Sequence, residues 1–283
     1  MKVAVLGASG LLGRALVREW RDDAVLGFGS RDVDIRDESA VSKLISAVRP
    51  DWIVLAAAYT DVDGCEGNPE LAFAVNRDGA ANVARAAVAV GCKLLFISSD
   101  YVFDGMQKVP YATDAARRPL GVYGRSKAEA EELLANILPD GCIVRSSWIF
   151  GVDGKCFPDT ILRLTESRSQ IDVVDDQRGS PTYTVDLARA IIALCRQNAA
   201  GIVHATNAGD CTWFEFAREI VKCAGKPTAV HPTTTAKMAR PAPRPAYSVL
   251  SPDSLHKIGV TMPTWQDALA RYLQERARQR GAA

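Results

Sequence analysis

The sequence predicts an α/β protein, and three observations carry that prediction. Short β-branched runs alternate with stretches of helical periodicity through the first 150 residues. A glycine turn, GASGLLG, separates the first strand-like run from the first helical one. Beyond residue 150 the alternation loosens into amphipathic helices and a Pro- and Thr-rich stretch. Parallel neighbours need a crossover between them, so strand–helix repetition implies a parallel sheet with helices on both faces. The expected architecture is a Rossmann-type doubly wound parallel sheet over residues 1–150, followed by a smaller C-terminal substrate-binding lobe over 151–283.

Taken in order, KVAVLG (2–7), AVLGFG (24–29), WIVLAAA (52–58), KLLFISS (93–99) and CIVRSSW (142–148) read as buried parallel strands. Each is a short apolar run, the pattern of a strand covered on both faces. LLGRALVREW (11–20), ESAVSKLISAV (38–48), PELAFAVNRDGAANVARAAVAVG (69–91) and SKAEAEELLANIL (126–138) lie between them with helical spacing. TVDLARAIIALCRQN and CTWFEFAREIVKCAG are further amphipathic helices, and residues 184–199 are expected to pack back onto the first domain. The stretch 231–251 reads mostly as loop.

Composition narrows the function classes. A hydrophobic share of 48% and a charged share of 24% suit a globular chain, and a net charge of +1 offers no footprint for nucleic acid or an anionic membrane. The seven cysteines, at 65, 92, 142, 156, 195, 211 and 223, have no CxxC spacing and read as reduced thiols of a cytoplasmic protein. The opening MKVAVLGASGLLG is too short and glycine-rich for a targeting segment, and no apolar run reaches membrane-spanning length.

Gly7, Gly10 and Gly13 stand where a strand turns into a helix. Glycines there allow a tight turn and let backbone approach a diphosphate at the helix N-terminus, where free N–H groups and the dipole favour an anion. The second strand ends GFGSRDVD, with Ser30 and Arg31 ahead of Asp32 and Asp34. A basic residue at this place suits a 2′-phosphate, so the reading leans to NADPH; NADH is the alternative, since a nearby Asp suits a 2′-hydroxyl. Tyr123 and Lys127 sit one helical turn apart, so phenol and ammonium face the same way. The ammonium is expected to lower the phenol's pKa from its usual value near 10. Ser98, Ser99 and Asp100 end one strand, and Arg145 and Trp148 end the next, where open α/β sheets bind ligands. Ser99, Tyr123 and Lys127 together make a set for carbonyl reduction: a hydroxyl for the ketone oxygen, a proton donor, and a cation for the cofactor ribose.

The segments GASGLLG, RPDWIVLAAAYTDVDGCE, SSDYVFDG, PLGVYGRSKAEAE, VRSSWIFG, DDQRGSPTY and RPAYSVLS resemble the dTDP-4-dehydrorhamnose reductase family over nearly the whole chain. SSDYVFDG and DQRGSPT are the family-specific ones; the glycine turn and YxxxK belong to the wider short-chain dehydrogenase/reductase superfamily. The resemblance implies reduction of the C4 ketone of dTDP-4-dehydro-β-L-rhamnose. It places Gly7, Gly10, Leu11 and Leu12 at the cofactor diphosphate, Asp34 and Ile35 near the adenine, and Ala58, Tyr59 and Thr60 beside the ribose. Asn76, Tyr123 and Lys127 complete that wall, and Ser99, Asp100 and Trp148 contact the sugar. The family often has Thr where this chain has Ser99, which keeps the hydroxyl. Some relatives bind a metal between subunits through a glutamate near position 15; Ala15 cannot, so no metal is expected. Related dehydratases follow the Ser/Thr with Asp-Glu, whereas here Asp100 precedes Tyr101, which fits reduction over dehydration. Arg178 and Arg244 are placed either to grip a substrate diphosphate or to serve structural ion pairs, and Trp148 either to face the sugar or to fill the core. ISSDYVFDG also resembles the methionine adenosyltransferase β subunit, so an NADP-binding regulatory subunit is the alternative, as is a reductase or epimerase of another nucleotide sugar. The expected partner is a nucleotide-sugar substrate, with a homodimer left open.

Overall fold

A computed structural model of the chain describes residues 1–281. The first half runs β1 (Lys2–Leu6), α1 (Leu11–Glu19), β2 (Ala24–Phe28), α2 (Glu38–Val48), β3 (Trp52–Leu55), α3 (Val62–Gly67), α4 (Pro69–Phe73), α5 (Gly79–Val90), β4 (Lys93–Ser99), α6 (Val122–Ile137) and β5 (Cys142–Ser146). Then follow β6 (Ile149–Phe150), α7 (Phe157–Thr165), β7 (Gln170–Val174), β8 (Arg178–Gly179), β9 (Thr182–Tyr183), α8 (Thr184–Arg196) and β10 (Gly201–His204). The chain closes with β11 (Cys211–Thr212), α9 (Trp213–Cys223), β12 (Ala229–Thr233), α10 (Thr235–Met238), α11 (Asp253–His256) and α12 (Trp265–Gly281).

Six strands form the main sheet in the order β10-β5-β4-β3-β1-β2, every neighbouring pair parallel. β2 lies on one side of β1 and β3 on the other, so connections leave the sheet in opposite directions there. A crevice must open at the C-terminal ends of β1 and β3. The period-two alternation of strand side chains sorts the core into two layers. Val3, Val5 and Val54 pack with Leu16 of α1 and Leu187 and Ile191 of α8. Ala4, Leu6, Ile53 and Leu55 pack on the other face with Ile45, Val83 and Leu134 from α2, α5 and α6. A third cluster, with Phe150, Ile161, Phe216 and Tyr272, builds the lobe from α7, α9 and α12.

The structure departs from the expected elements in places where tertiary contacts decide. β10, contributed from beyond residue 150, adds a sixth strand beside β5. The run 52–58 leaves the strand after Leu55, and Ala56–Ala58 turn into the crevice. The helical run 69–91 contains a π-helical segment, Ala74–Asp78, between α4 and α5. Such wide turns concentrate at functional sites because they re-aim one side chain, here the buried Asn76. Within the stretch read as loop, β12 ends at Thr233 and α10 forms one short turn, because β7 offers β12 a parallel partner.

Ile191 is fully buried in the layer where α8 meets α1. Ile191→Ala is expected to cost about 2–5 kcal/mol of unfolding free energy, the range for a large-to-small change in a packed core. Urea denaturation measures it, and a loss below 1 kcal/mol would mean that α8 is not integral to the sheet layer.

Candidate active site

The crevice at the switch point starts with the glycine turn. Gly7 has φ +91°, and a Cβ there would lie 2.5 Å from the Ala57 nitrogen. A Cβ on Gly13 would run into the Gly7 carbonyl oxygen, so α1 can lie this close to β1 only without side chains at both places. Gly10 is the N-cap of α1, with no side-chain cap and no acid in the first turn. The N–H groups of Leu11, Leu12 and Gly13 therefore face the crevice with a positive helix end and no resident carboxylate, the cradle that a diphosphate fits. Leu12 and Gly13 are buried while Leu11 reaches the surface near Gly154.

The crevice is a cleft of about 460 Å³ whose walls include Gly7, Gly10, Ser30, Asp34, Ile35 and Ala58. Arg36 also lines it, a residue that sequence reasoning passed over. Asp34 accepts from Arg36 Nη2 at 2.5 Å and from Nε at 3.0 Å, and this arginine holds the carboxyl below its usual range. Asp32 is taken up locally, accepting from Gly29 N at 2.7 Å and so shaping the turn after β2. Arg31 is exposed and lies outside the cleft lining. Thr60 is likewise exposed. Asn76 braces the far wall: its Oδ1 accepts from Tyr59 N at 2.8 Å, and its Nδ2 donates to Tyr59 O and to Ser126 Oγ, both at 3.0 Å.

β4 delivers Ser99, and α6 delivers Tyr123 and Lys127. The N-cap of α6, Gly121, has no side chain to offer, and Glu66 of α3 caps the helix instead by accepting from Val122 N at 2.7 Å. Ser99 Oγ donates to Asp100 Oδ1 at 3.0 Å, accepts from Tyr101 N at 3.2 Å, and is hydrogen-bonded to Tyr123. Lys127 Nζ donates to Ile97 O at 2.7 Å and lies 3.9 Å from the centre of the Phe96 ring. Burial pulls the ammonium down to about 7, with Glu131 opposing. The expected lowering of the Tyr123 pKa is corrected by the structure: burial pushes the phenol up, Ser99 opposes, and Asp100 adds to the rise. Desolvation outweighs an ammonium that is turned toward a backbone carbonyl. A phenol raised in this way stays protonated across the working range, the form that a proton donor needs.

Asp100 is 2% exposed and sits behind Ser99, with burial pushing it up to about 6 while Ser248 and Ser99 oppose. It therefore meets Ser99 before any sugar. Tyr101, in place of a dehydratase's second carboxylate, stands edge-on to Tyr123 at 5.7 Å between ring centres and hydrogen-bonds Arg244. Arg244 is paired with Asp63 at 3.0 Å, and Arg178 with Asp210 at 2.5 Å and Glu215 at 3.1 Å, so both arginines occupy structural ion pairs. Trp148 adopts φ 46°, unusual for a bulky residue, and stacks on Trp213 at 3.5 Å and 8°. Gly179 permits the stack, since a Cβ there would come within 2.6 Å of the Trp148 ring. Trp213 was not singled out from the sequence; 65 positions from Trp148, it leaves no local signal.

The family model described as RmlD substrate binding domain matches residues 1–278. The chain is 40% identical to the spore coat polysaccharide biosynthesis protein SpsK of Bacillus subtilis, covering 98% of each. It is 42% identical to a dTDP-4-dehydrorhamnose reductase of Streptomyces griseus, over 94% of this chain and 90% of that one. Among solved structures, dTDP-4-dehydrorhamnose reductase of Bacillus anthracis in complex with NADP superposes with a TM-score of 0.95 at 38% identity, covering 97% of this chain and 100% of the other. With this fold, this cleft and a family match over residues 1–278, the chain belongs to the dTDP-4-dehydrorhamnose reductase family.

Proposed function

We propose that this protein is an NADPH-dependent reductase that converts the C4 ketone of dTDP-4-dehydro-β-L-rhamnose to the alcohol of dTDP-L-rhamnose. One observation carries the reading: Ser99, the neighbouring Tyr123 and the buried Lys127 stand at the C-terminal ends of the strands, beside a diphosphate cradle. Full-length likeness to reductases supports it over a regulatory subunit. Bound in the cleft, NADPH supplies the hydride. The chain supplies the rest. Gly7, Gly10, Leu11, Leu12 and Gly13 receive the diphosphate, and Asn76 steadies the Tyr59 wall. Tyr123 donates its proton to the ketone oxygen as charge develops there, and Ser99, oriented by Asp100, shares that oxygen. Lys127 donates to the ribose hydroxyls. Trp148, backed by Trp213, gives the deoxysugar an apolar face.

In this reading residues 1–150, with 184–199 packed on them, hold the cofactor, and the lobe holds the sugar nucleotide. The enzyme works in the cytoplasm, where its unpaired thiols remain reduced. Among the described residues, no helix is long and apolar enough to cross a membrane.

Tyr123→Phe is expected to lower kcat by roughly two to four decades while leaving NADPH affinity close to wild type. Absorbance of NADPH with dTDP-4-dehydro-L-rhamnose reads the first quantity and fluorescence titration the second; near-normal turnover removes Tyr123 from the donor role.

The cofactor's 2′-phosphate is assigned to Ser30 and Arg36, with Arg31 approaching from the solvent side. Arg36→Ala should lower the ratio of kcat/KM for NADPH over NADH by about tenfold, the size of one charged hydrogen bond. Arg31→Ala should change it less. If the Arg36 variant keeps the wild-type ratio, the preference is set elsewhere.

A further inference from the structure

Helix α6 holds Tyr123, Lys127 and Glu131 at successive four-residue steps, and Lys127 and Glu131 are 1% and 0% exposed. Glu131 is enclosed by donors from several elements. Ser98 Oγ of β4 reaches Oε1 at 2.5 Å, Arg145 of β5 donates from Nε at 2.9 Å and from Nη2 at 2.7 Å, and Arg117 lies 3.4 Å from Oε2. Arg145 is held in turn by Thr113 O at 3.1 Å and the Phe103 ring at 5.0 Å. It also meets His204 Nε2 of β10 at 3.3 Å. That histidine is kept neutral, held down to about 3 by burial and by Arg145. One anion is thus enclosed by two guanidiniums, Arg145 and Arg117, with Lys127 one turn before it on the same helix.

Lys127 itself touches only neutral groups, the Ile97 carbonyl and the Phe96 ring. Burial works against its charge, and Glu131 is the one charged group that acts to keep it. Clamping β5 to α6 would need only Arg145; placing the carboxylate a single turn from the lysine gives it a second effect.

We propose that Glu131 is a positioning residue for the reduction, its enclosed carboxylate holding the Lys127 ammonium protonated where the cofactor ribose is received. The consequence for catalysis rests on the reductase reading; the charge coupling does not. Replacing Glu131 by Gln removes the carboxylate and leaves two guanidiniums grouped at its place one turn along the helix, so the lysine must lose its proton at lower pH. Replacing Arg117 by Gln removes a competing cation, so the lysine must hold its proton to higher pH. The two changes have opposite signs, which a purely mechanical clamp would not produce.

The test is a pH titration of the full-length protein labelled with ¹³C at lysine Cε, the Lys127 signal assigned by its loss in Lys127→Met. Glu131→Gln should move the midpoint down by about one unit, near tenfold in the proton equilibrium, and Arg117→Gln should move it up by a few tenths. Glu131→Asp, which keeps the charge, should return most of the shift. The alkaline fall in NADPH-dependent turnover should follow the same order. Unmoved midpoints, or shifts of one sign in both variants, overturn the proposal. If Glu131→Gln fails to fold, Arg117→Gln at an exposed position decides alone: an upward shift supports the coupling, and none overturns it. Intact NMR shifts in a protein with no ketone reduction would overturn the reductase reading and leave the coupling standing.

Discussion

An ammonium, a carboxylate and a guanidinium buried together between α6 and the sheet form the constraint on which the site depends. Lys127, Glu131 and Arg145 are each at most 1% exposed. Charges out of water are costly unless each finds close, well-aligned partners, and losing one partner strands the others. Glu131 and Arg145 are therefore interlocked, Arg145 meeting both oxygens of Glu131 and Ser98 one of them, while Lys127 is held separately by the Ile97 carbonyl. This fixes α6 in rotation and along its axis against β4 and β5, and Tyr123, one turn before Lys127, inherits that placement. An apolar interface of the same area would tolerate sliding that this one does not.

The other end of α6 is fixed by a different device that also reaches the lobe. Glu66 caps the helix at Val122, while Asp63, one turn earlier on α3, pairs with Arg240 and Arg244 from the segment after α10. Arg244 continues to Tyr101, which stands against Tyr123. Short α3 thus links the start of α6 to the segment after α10. Both arginines near the site meet carboxylates of this chain, so a diphosphate arriving there competes with Asp63, or with Asp210 and Glu215 at Arg178. Such competition discriminates more sharply than an unpaired cation, because a ligand must outdo an existing partner.

What the sequence made legible was local. Alternating apolar runs marked β1 to β5 and their helices, since each has a period of its own, and the glycines marked the cradle because nothing else fits beside Ala57 and the Gly7 carbonyl. Ser99, Tyr123 and Lys127 were legible as residues at strand and helix ends. β6, β8, β9 and β11 were not, being two-residue strands that exist only through their partners. Trp213, Arg36, Glu66 and Glu131 escaped for a related reason: each matters through a residue distant in sequence or through an ion pair that composition does not reveal. The pKa of Tyr123 was misjudged because spacing reports where an ammonium stands on the helix, and not which way it points or how dry the site is.

The burial of these side chains bears on how the site would divide its labour. Burial raises the phenol and lowers the lysine, so two groups whose ordinary proton affinities nearly coincide are driven apart. The tyrosine remains neutral and able to donate, while the lysine stays near the point of balance, held charged by one carboxylate. In the proposed reduction Tyr123 gives up its proton and becomes a phenolate that needs compensation. The Ser99 hydroxyl stands beside it, and Lys127 follows one turn later on α6, donating to the Ile97 carbonyl. Burial makes both terms large, because the same missing water that raises the phenol also strengthens every charge–charge contact made by the phenolate. In that reading the same burial keeps the acid neutral before the reaction and strengthens the contacts of its conjugate base afterwards.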